Sequence, residues 1–438
     1  MSLKDKLLSS YIAFEDNSEP DSPINELRNI AIKNFETKGF PTKKDEFWKY
    51  TSLNALIKKE YSVYPKQWDK SLEYHDVKKY FLNDIDTYKI VFVDGIYSSF
   101  LSETTHDHLD VCLMSSALNH TKYKAVIEAY FNKAANDDSL TSLNTAFAKE
   151  GAYIHIPAHT DVEKPIEILN FSTGNESAVF LQPRNLIVVG ENSHVQIIER
   201  HQNLSVNEVF TNSVTEIFAE KRANVDYYKI QNNVASASLI DNTYLVQEHE
   251  SDCNVHTFSF GGKLTRNNLN FYQHGERCNS TLKGITILEG KQHVDHNTLV
   301  HHIAPNCESH QDYKGVFGDI STGVFNGRVI VEKDAQKTDA FQQNNNILVD
   351  DGATINAKPQ LEIFADDVKC SHGCTIGQLN EEALFYMRSR GIAKKEARAL
   401  LMYAFANTVL ESVKIPSLKK RINTLIADKI GVNLGFHV

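Results

Sequence analysis

The sequence predicts a mainly β protein whose central part is a parallel β-helix, a stack of strand coils, held between helical segments at either end. Three observations predict it. From about residue 151 to 378 apolar residues alternate with a period of two, as in strands, and no helical pattern interrupts them. Polar turns precede strand-opening valines at Val195, Val225 and Val255, two steps of 30 residues, a periodicity that argues for stacked coils in which each buries its neighbour's apolar face. Before and after this stretch the pattern becomes helical, so that helices could cap strand edges that an open stack would expose.

Residues 1–150 form the first, largely helical part. An acidic, proline-containing break at Glu19-Pro20-Asp21-Ser22-Pro23 precedes the helical stripe Ile24, Leu27, Ile30, Ala31. One strand stands out, Lys89-Ile90-Val91-Phe92-Val93, closed by the turn signal Asp94-Gly95. His106, Asp107 and His108 read as an exposed loop. Residues 151–378 form the second part, with strand runs such as 185–189, 195–199, 225–230 and 329–331. A weaker turn echo at Gly275 and irregular turns near Gly290, Asp334 and Gly352 continue the rhythm. A β-sandwich with evenly spaced hairpins is the alternative the spacing leaves open.

Residues 379–438 form the third part. Asn380 is a suitable N-cap, with Glu381 and Glu382 where the helix dipole favours negative charge, and Gly391 offers a stop. Ala397, Leu400, Leu401, Ala404, Phe405, Thr408 and Val409 then make one amphipathic stripe, which Pro416 ends; Leu418, Ile422, Leu425, Ile426 and Ile430 make another. A short helical tail has little core of its own, so part of this apolar surface is expected to dock another subunit.

Composition narrows the function. The 438 residues carry 46 basic and 56 acidic side chains, a net charge of 46 − 56 = −10, without the basic runs of a nucleic-acid binder. No apolar run approaches the roughly 20 residues that span a bilayer, and Met1-Ser2-Leu3-Lys4-Asp5-Lys6 is no signal-peptide core. Six cysteines without a Cys-x-x-Cys pair are expected to be reduced thiols. The expectation is a soluble, cytoplasmic protein that binds neither nucleic acid nor membrane.

The most chemical segment is Asp366-Asp367-Val368-Lys369-Cys370-Ser371-His372-Gly373-Cys374. In an extended strand Cys370, His372 and Cys374 share a face, which suits soft-metal or sulfur chemistry provided Gly373 does not bulge. His293, His296, His301, His302, Cys307 and His310 could be read as a zinc or iron site of a stand-alone metalloenzyme. Strand alternation and successive turns would instead scatter them over several faces, and no helical HExxH pair is present. Asp295, Asp312, Asp319 and Asp339 could serve a carbohydrate-active β-helix enzyme, but no paired acid motif is evident. No GxxxxGK[ST] phosphate loop occurs, so any ATP hydrolysis must come from a partner.

Several ordered motifs carry a resemblance. They are 311-QDYKGVF-317, 323-GVFNG-327, 335-AQKTDA-340, 358-KPQLEI-363, 366-DDVKCSHG-373 and 384-LFYMRSRGI-392, with 45-DEFWKYTSL-53, 143-LNTAF-147, Gly151 and 154-IHIP-157 upstream. Together they cover nearly the whole chain, which resembles the SufD branch of the SufB/SufD family of iron-sulfur cluster assembly proteins. The resemblance implies a right-handed parallel β-helix and a non-catalytic scaffold. It implies pairing with a SufB-like homologue, and a SufC-like ABC-type ATPase bound by the C-terminal helices, with Tyr386, Arg388, Arg390, Gly391, Leu400 and Phe405 as candidate contacts. A transient cluster or iron would sit at the subunit interface on His372, with Cys370 as its neighbour, and no cofactor is expected in the isolated chain. Cys374 stands where the family usually has alanine and is read as an inert substitute. Alone, the chain is expected to form a symmetric homodimer through its open edge.

Overall fold

The computed structural model describes residues 2–16, 22–63, 72–82, 84–103, 109–173, 178–204 and 207–431. Two long sheets face each other across a filled lumen, and the chain passes from one to the other at each half-coil. One sheet runs from the Tyr88–Val93 strand through His194–Asn203, Asn224–Gln231, Asp252–Ser259, Asn279–Leu288, Glu308–Phe317 and Asp339–Leu348 to Lys369–Gly377. The other runs from Ala152–Ile156 through Val209–Ala219, Ala237–Gln247, Leu264–Gln273, His293–His302 and Thr322–Val331 to Thr354–Ile363. Neighbouring coil strands are parallel, so the middle of the chain is the predicted β-helix and not the sandwich.

The repeat is built from a turn that recurs in register. Asn192, Arg222, Glu250, Arg277, Asn306 and Lys337 all take left-handed φ values between 54° and 62° at the same corner of successive coils. Val225 pairs with Val195, as the spacing predicts, but its partner on the next coil is Cys253, not Val255. That coil is two residues shorter. Because a shift of two preserves the face a strand residue points to, Val255 still lies in the lumen, and the expected equivalence fails without disturbing the core. Ile197, Tyr227, Ile217, Leu245, Phe271, Val300, Tyr313 and Phe325 fill the interior.

The flanking helices cover opposite outer faces. Leu3–Asp16, Asn25–Lys38 and Ser139–Ala146 pack on Phe180, Phe210, Ile240 and Leu264 of the second sheet. Asn144 Nδ2 fastens the last of these helices by donating to the carbonyls of Pro183 (2.9 Å) and Asn212 (2.8 Å). Residues 45–53 clamp further along: the Arg266 guanidinium lies 3.9 Å over the Trp48 ring and donates to the Phe47 carbonyl (2.8 Å). The predicted 89–95 hairpin signal is correct, since Tyr88–Val93 turns at Asp94-Gly95 and pairs antiparallel with Ile96–Tyr97. Residues 19–21 of the proposed acidic break, and His106, Asp107 and His108, lie outside the described residues.

At the C-terminal side, Lys394–Asn407, the 3-10 turn Thr408–Ser412 and Pro416–Ile430 lie on the outer face of the first sheet, where Val409, Leu410, Leu418, Ile422 and Ile426 meet Ile198, Tyr228, Phe258 and Ile285. Most of that apolar surface is therefore spent within the chain. The second predicted stripe matches the buried face; the first is rotated, with Ala399 and Ala406 buried while Ala404 and Thr408 are exposed. Pro416 opens the last helix at its first turn, where a missing N–H is harmless, and the preceding helix has already ended at Asn407. No described helix is long and apolar enough to cross a membrane.

Candidate functional site at the open end of the solenoid

The two ends of the stack differ. At the first coils, the sheets finish in short antiparallel strands, Ile96–Tyr97 and Asp110–Leu113. At the other end, among the described residues, Thr354–Ile363 pairs only with Thr322–Val331, and Lys369–Gly377 pairs only with Asp339–Leu348. Both leave an edge uncovered. Pro359 lies in one of these edge strands, the place in a sheet that tolerates a missing donor.

Lys369–Gly377 carries the predicted motif. Its ladder runs unbroken from Asp339↔Lys369 to Ile347↔Gly377, so Gly373 makes no bulge. Cys370, His372 and Cys374 stand in register with Ala340, Gln342 and Asn344, which are 1%, 0% and 3% exposed and point into the lumen. The trio therefore shares the inward face, yet His372 and Cys374 are exposed because no coil lies above them. Ala357, Pro359 and Leu361, in register with the lumen-facing Phe325, Gly327 and Val329, form the facing rim.

The donor chemistry at this mouth is one imidazole and two thiols. Burial raises the Cys370 thiol above its ordinary range, opposed by a backbone hydrogen bond from Ala340, and burial also raises Cys374. Cys374 Sγ donates to Asn344 Oδ1 (3.8 Å). Both thiols are protonated at neutral pH, so a metal taken up there must displace protons. Asp367 is engaged by Lys337 and is not a free ligand.

The other candidates disperse. His293 Nε2 meets Thr51 Oγ1 (2.9 Å), His296 Nε2 meets Thr286 Oγ1 (2.8 Å), His301 Nε2 meets Glu332 Oε1 (2.8 Å) and His302 Nε2 meets Ser309 Oγ (2.9 Å). Cys307 is buried at a corner and His310 is exposed on the outer face. These six residues form no common site. Asp295 is locked to Arg266 (2.5 Å), Asp312 lies on the other sheet in register with Lys283 and Gln343, and Asp319 and Asp339 lie at a turn and a strand start, so the carboxylates make no catalytic pair either.

One cluster was not anticipated. Glu199, His201 and Asp241, all buried in the lumen, bring ligand-type atoms within 4.8 Å of one another. Lys229 Nζ, however, donates to Asp241 Oδ1 (2.7 Å) and Thr243 Oγ1 (2.6 Å) and lies 3.8 Å from Glu199 Oε2. Burial alone would raise Glu199, but His201 and Lys229 outweigh it and hold the carboxyl at about 2. The Lys229 ammonium is shared between the two carboxylates, and the group is a buried salt-bridged network. Its signal in the sequence, charges at i and i+2 of a strand, resembles an ordinary solvated face.

On the Glu381–Ser389 helix, Asn380 Oδ1 accepts from the Ala383 N–H (2.9 Å), as a cap should. Phe385 and Tyr386 are 73% and 59% exposed, and the Arg390 guanidinium lies 5.2 Å over the Tyr386 ring. Arg388, Arg390 and Gly391 are exposed as well. Leu400 and Phe405 are only partly so, and Phe405 packs on the solenoid with the Lys314 ammonium 5.0 Å over its ring.

Comparison with known proteins agrees along the length of the chain. The SufBD core domain of the SUF iron-sulfur cluster assembly system matches residues 171–405, and the SufBD N-terminal region matches residues 3–168. An iron-sulfur cluster assembly SufBD family protein of Synechocystis is 31% identical, over 93% of this chain and 91% of its own. The iron-sulfur cluster assembly protein SufD of Escherichia coli is 28% identical over 90% of each chain, and that of Bacillus subtilis is 25% identical over 73% of each.

Proposed function

This chain belongs to the SufBD family of iron-sulfur cluster assembly proteins, and on that premise we propose that it is a SufD-type scaffold working at its open last coil. In this reading a SufB-like homologue continues the sheets past Thr354–Ile363 and Lys369–Gly377, and iron or a nascent cluster is the cargo handled at the seam. His372 is its ligand from this side, with Cys370 beside it. A neutral imidazole and a deprotonated thiol both bind iron. The chain makes and breaks no bond of its own. A SufC-like ATPase supplies ATP hydrolysis and docks on the C-terminal helices around Phe385, Tyr386, Arg388 and Arg390. In this reading the chain works in the cytoplasm.

The observation that carries the reading is the pair of uncovered edges with the Cys370, His372 and Cys374 face directly between them and the lumen. Unpaired strand edges are templates for another chain, and in the absence of the homologue a second copy satisfies them by two-fold symmetry. Co-expression with a SufB-type chain and the ATPase, followed by anaerobic iron and sulfide quantification, is the test. His372→Ala should leave the assembly intact and lower cluster yield; an undiminished yield removes His372 from the site. Phe385→Asp should release the ATPase while the solenoids remain paired.

A further inference from the structure

We infer that Gln342 is a positioning residue for His372, its side-chain carbonyl accepting one ring N–H so that the other ring nitrogen is left as an electron-pair donor towards iron. The inference rests on the reading of the open coil given above. Gln342 is fully buried, yet neither Oε1 nor Nε2 has a hydrogen-bond partner. Buried polar atoms are nearly always bonded, and an orphan is costly. Two on one side chain mark an amide whose partner is not held in place in the isolated chain.

The register identifies that partner. Gln342 and His372 are paired residues of adjacent parallel strands, both on the inward face, and strands so paired lie about 4.8 Å apart. The lumen keeps room for the amide: a Cβ on Gly327, across the coil, would stand 2.4 Å from Gln342 Nε2. Neighbouring acceptors are already engaged. Gln311, in register with Gln342 on the preceding coil, accepts from Thr298 Oγ1 (2.7 Å) at Oε1 while its Nε2 is also unpartnered, and Asn344 Oδ1 accepts from Asn346 Nδ2 (2.7 Å). Ala340, on the other side, has no polar side chain. In the free chain His372 is turned to solvent; a partner covering the mouth confines the ring over the amide beneath it. Metal-binding imidazoles depend on such an acceptor, which fixes the tautomer and strengthens the donor nitrogen.

The test compares Q342L and Q342E in the complex co-expressed with a SufB-type chain and the ATPase, alongside the thermal midpoint of each purified chain. Q342L removes both orphan atoms at similar volume, so its midpoint should equal or exceed that of the wild type, whereas iron and acid-labile sulfide in the complex should fall about tenfold, the lower end of the range for loss of an outer-shell partner. Q342E keeps an acceptor and should retain clusters. H372A combined with Q342L should be no worse than H372A alone. Wild-type cluster content in Q342L, with H372A depleted, overturns the role of Gln342 and leaves the site standing. Wild-type content in H372A overturns both. Cluster loss in Q342L and Q342E together with a lowered midpoint assigns Gln342 to the fold alone and also overturns the inference.

Discussion

Glu216 stands 2.5 Å from Arg184 on the neighbouring strand, and neither side chain is exposed to solvent. The same carboxylate accepts the backbone N–H groups of Asn132 (2.8 Å), Ala134 (2.9 Å) and Ala135 (3.1 Å), tying the segment before the Ser139–Ala146 helix to the solenoid. Glu216→Ala leaves a buried guanidinium and three donors unmatched. It should cost about 3–5 kcal/mol in urea unfolding, with Glu216→Gln milder because an acceptor remains.

Acid should destabilise the chain well above the carboxylate range. Burial, the largest cause in each case, holds His256 and His296 at about 4 and His302 at about 3. In the unfolded chain each binds a proton near pH 6.5. Between pH 6.5 and about 4 the unfolded state therefore holds more protons, so the stability is complete above 6.5 and is lost as pH falls. The loss is about 1.4 kcal/mol per pH unit for each histidine. His302→Gln should reduce the slope of stability against pH by one histidine's contribution, read by urea titrations at pH 5, 6 and 7.

Ile376, half exposed on the inward face of the last strand, tests the open edge without touching Cys370 or His372, the proposed ligands. Ile376→Lys places a charge where another chain must approach. Self-association in sedimentation and capture of a SufB-type chain should both be lost, with stability of the monomer changed by no more than about 0.5 kcal/mol.

Lys229→Met probes the salt-bridged lumen cluster. Removing the ammonium leaves Glu199 and Asp241 facing each other in a buried space, which should lower stability by about 3–5 kcal/mol. Added Mn2+ should restore part of that loss in the variant and leave the wild-type thermal midpoint unchanged, because only the variant has room for a cation.

The parts of the molecule that obey strand alternation were legible in the sequence: the coils, the 30-residue step and the common face of Cys370, His372 and Cys374. Legibility failed where a residue's environment is set by another coil. Val255 could be matched to Val225 by spacing, but a shortened coil gives that place to Cys253. Glu199, Lys229 and Asp241 are charges on inward positions, and no local pattern separates them from solvated ones, since their partners come from other strands. Gln342 is silent for the same reason. The first C-terminal stripe is rotated, since Ala399 and Ala406 are buried with Ala397 and Val409 while Ala404 and Thr408 face solvent, a choice made by the sheet beneath the helix and not by its own apolar spacing. Phe385, at 73% more exposed than its neighbour Tyr386 at 59%, was not among the residues the sequence singled out.

The contrast between a blunt first coil and an uncovered last one sets a valence of one. In the proposed pairing, two such chains, or this chain and a homologue, joined through that single face would leave no long uncovered edge among the described residues for a third. Growth would then stop at a pair, and strand edges that could seed a filament would instead enclose the candidate metal-binding side chains at the centre.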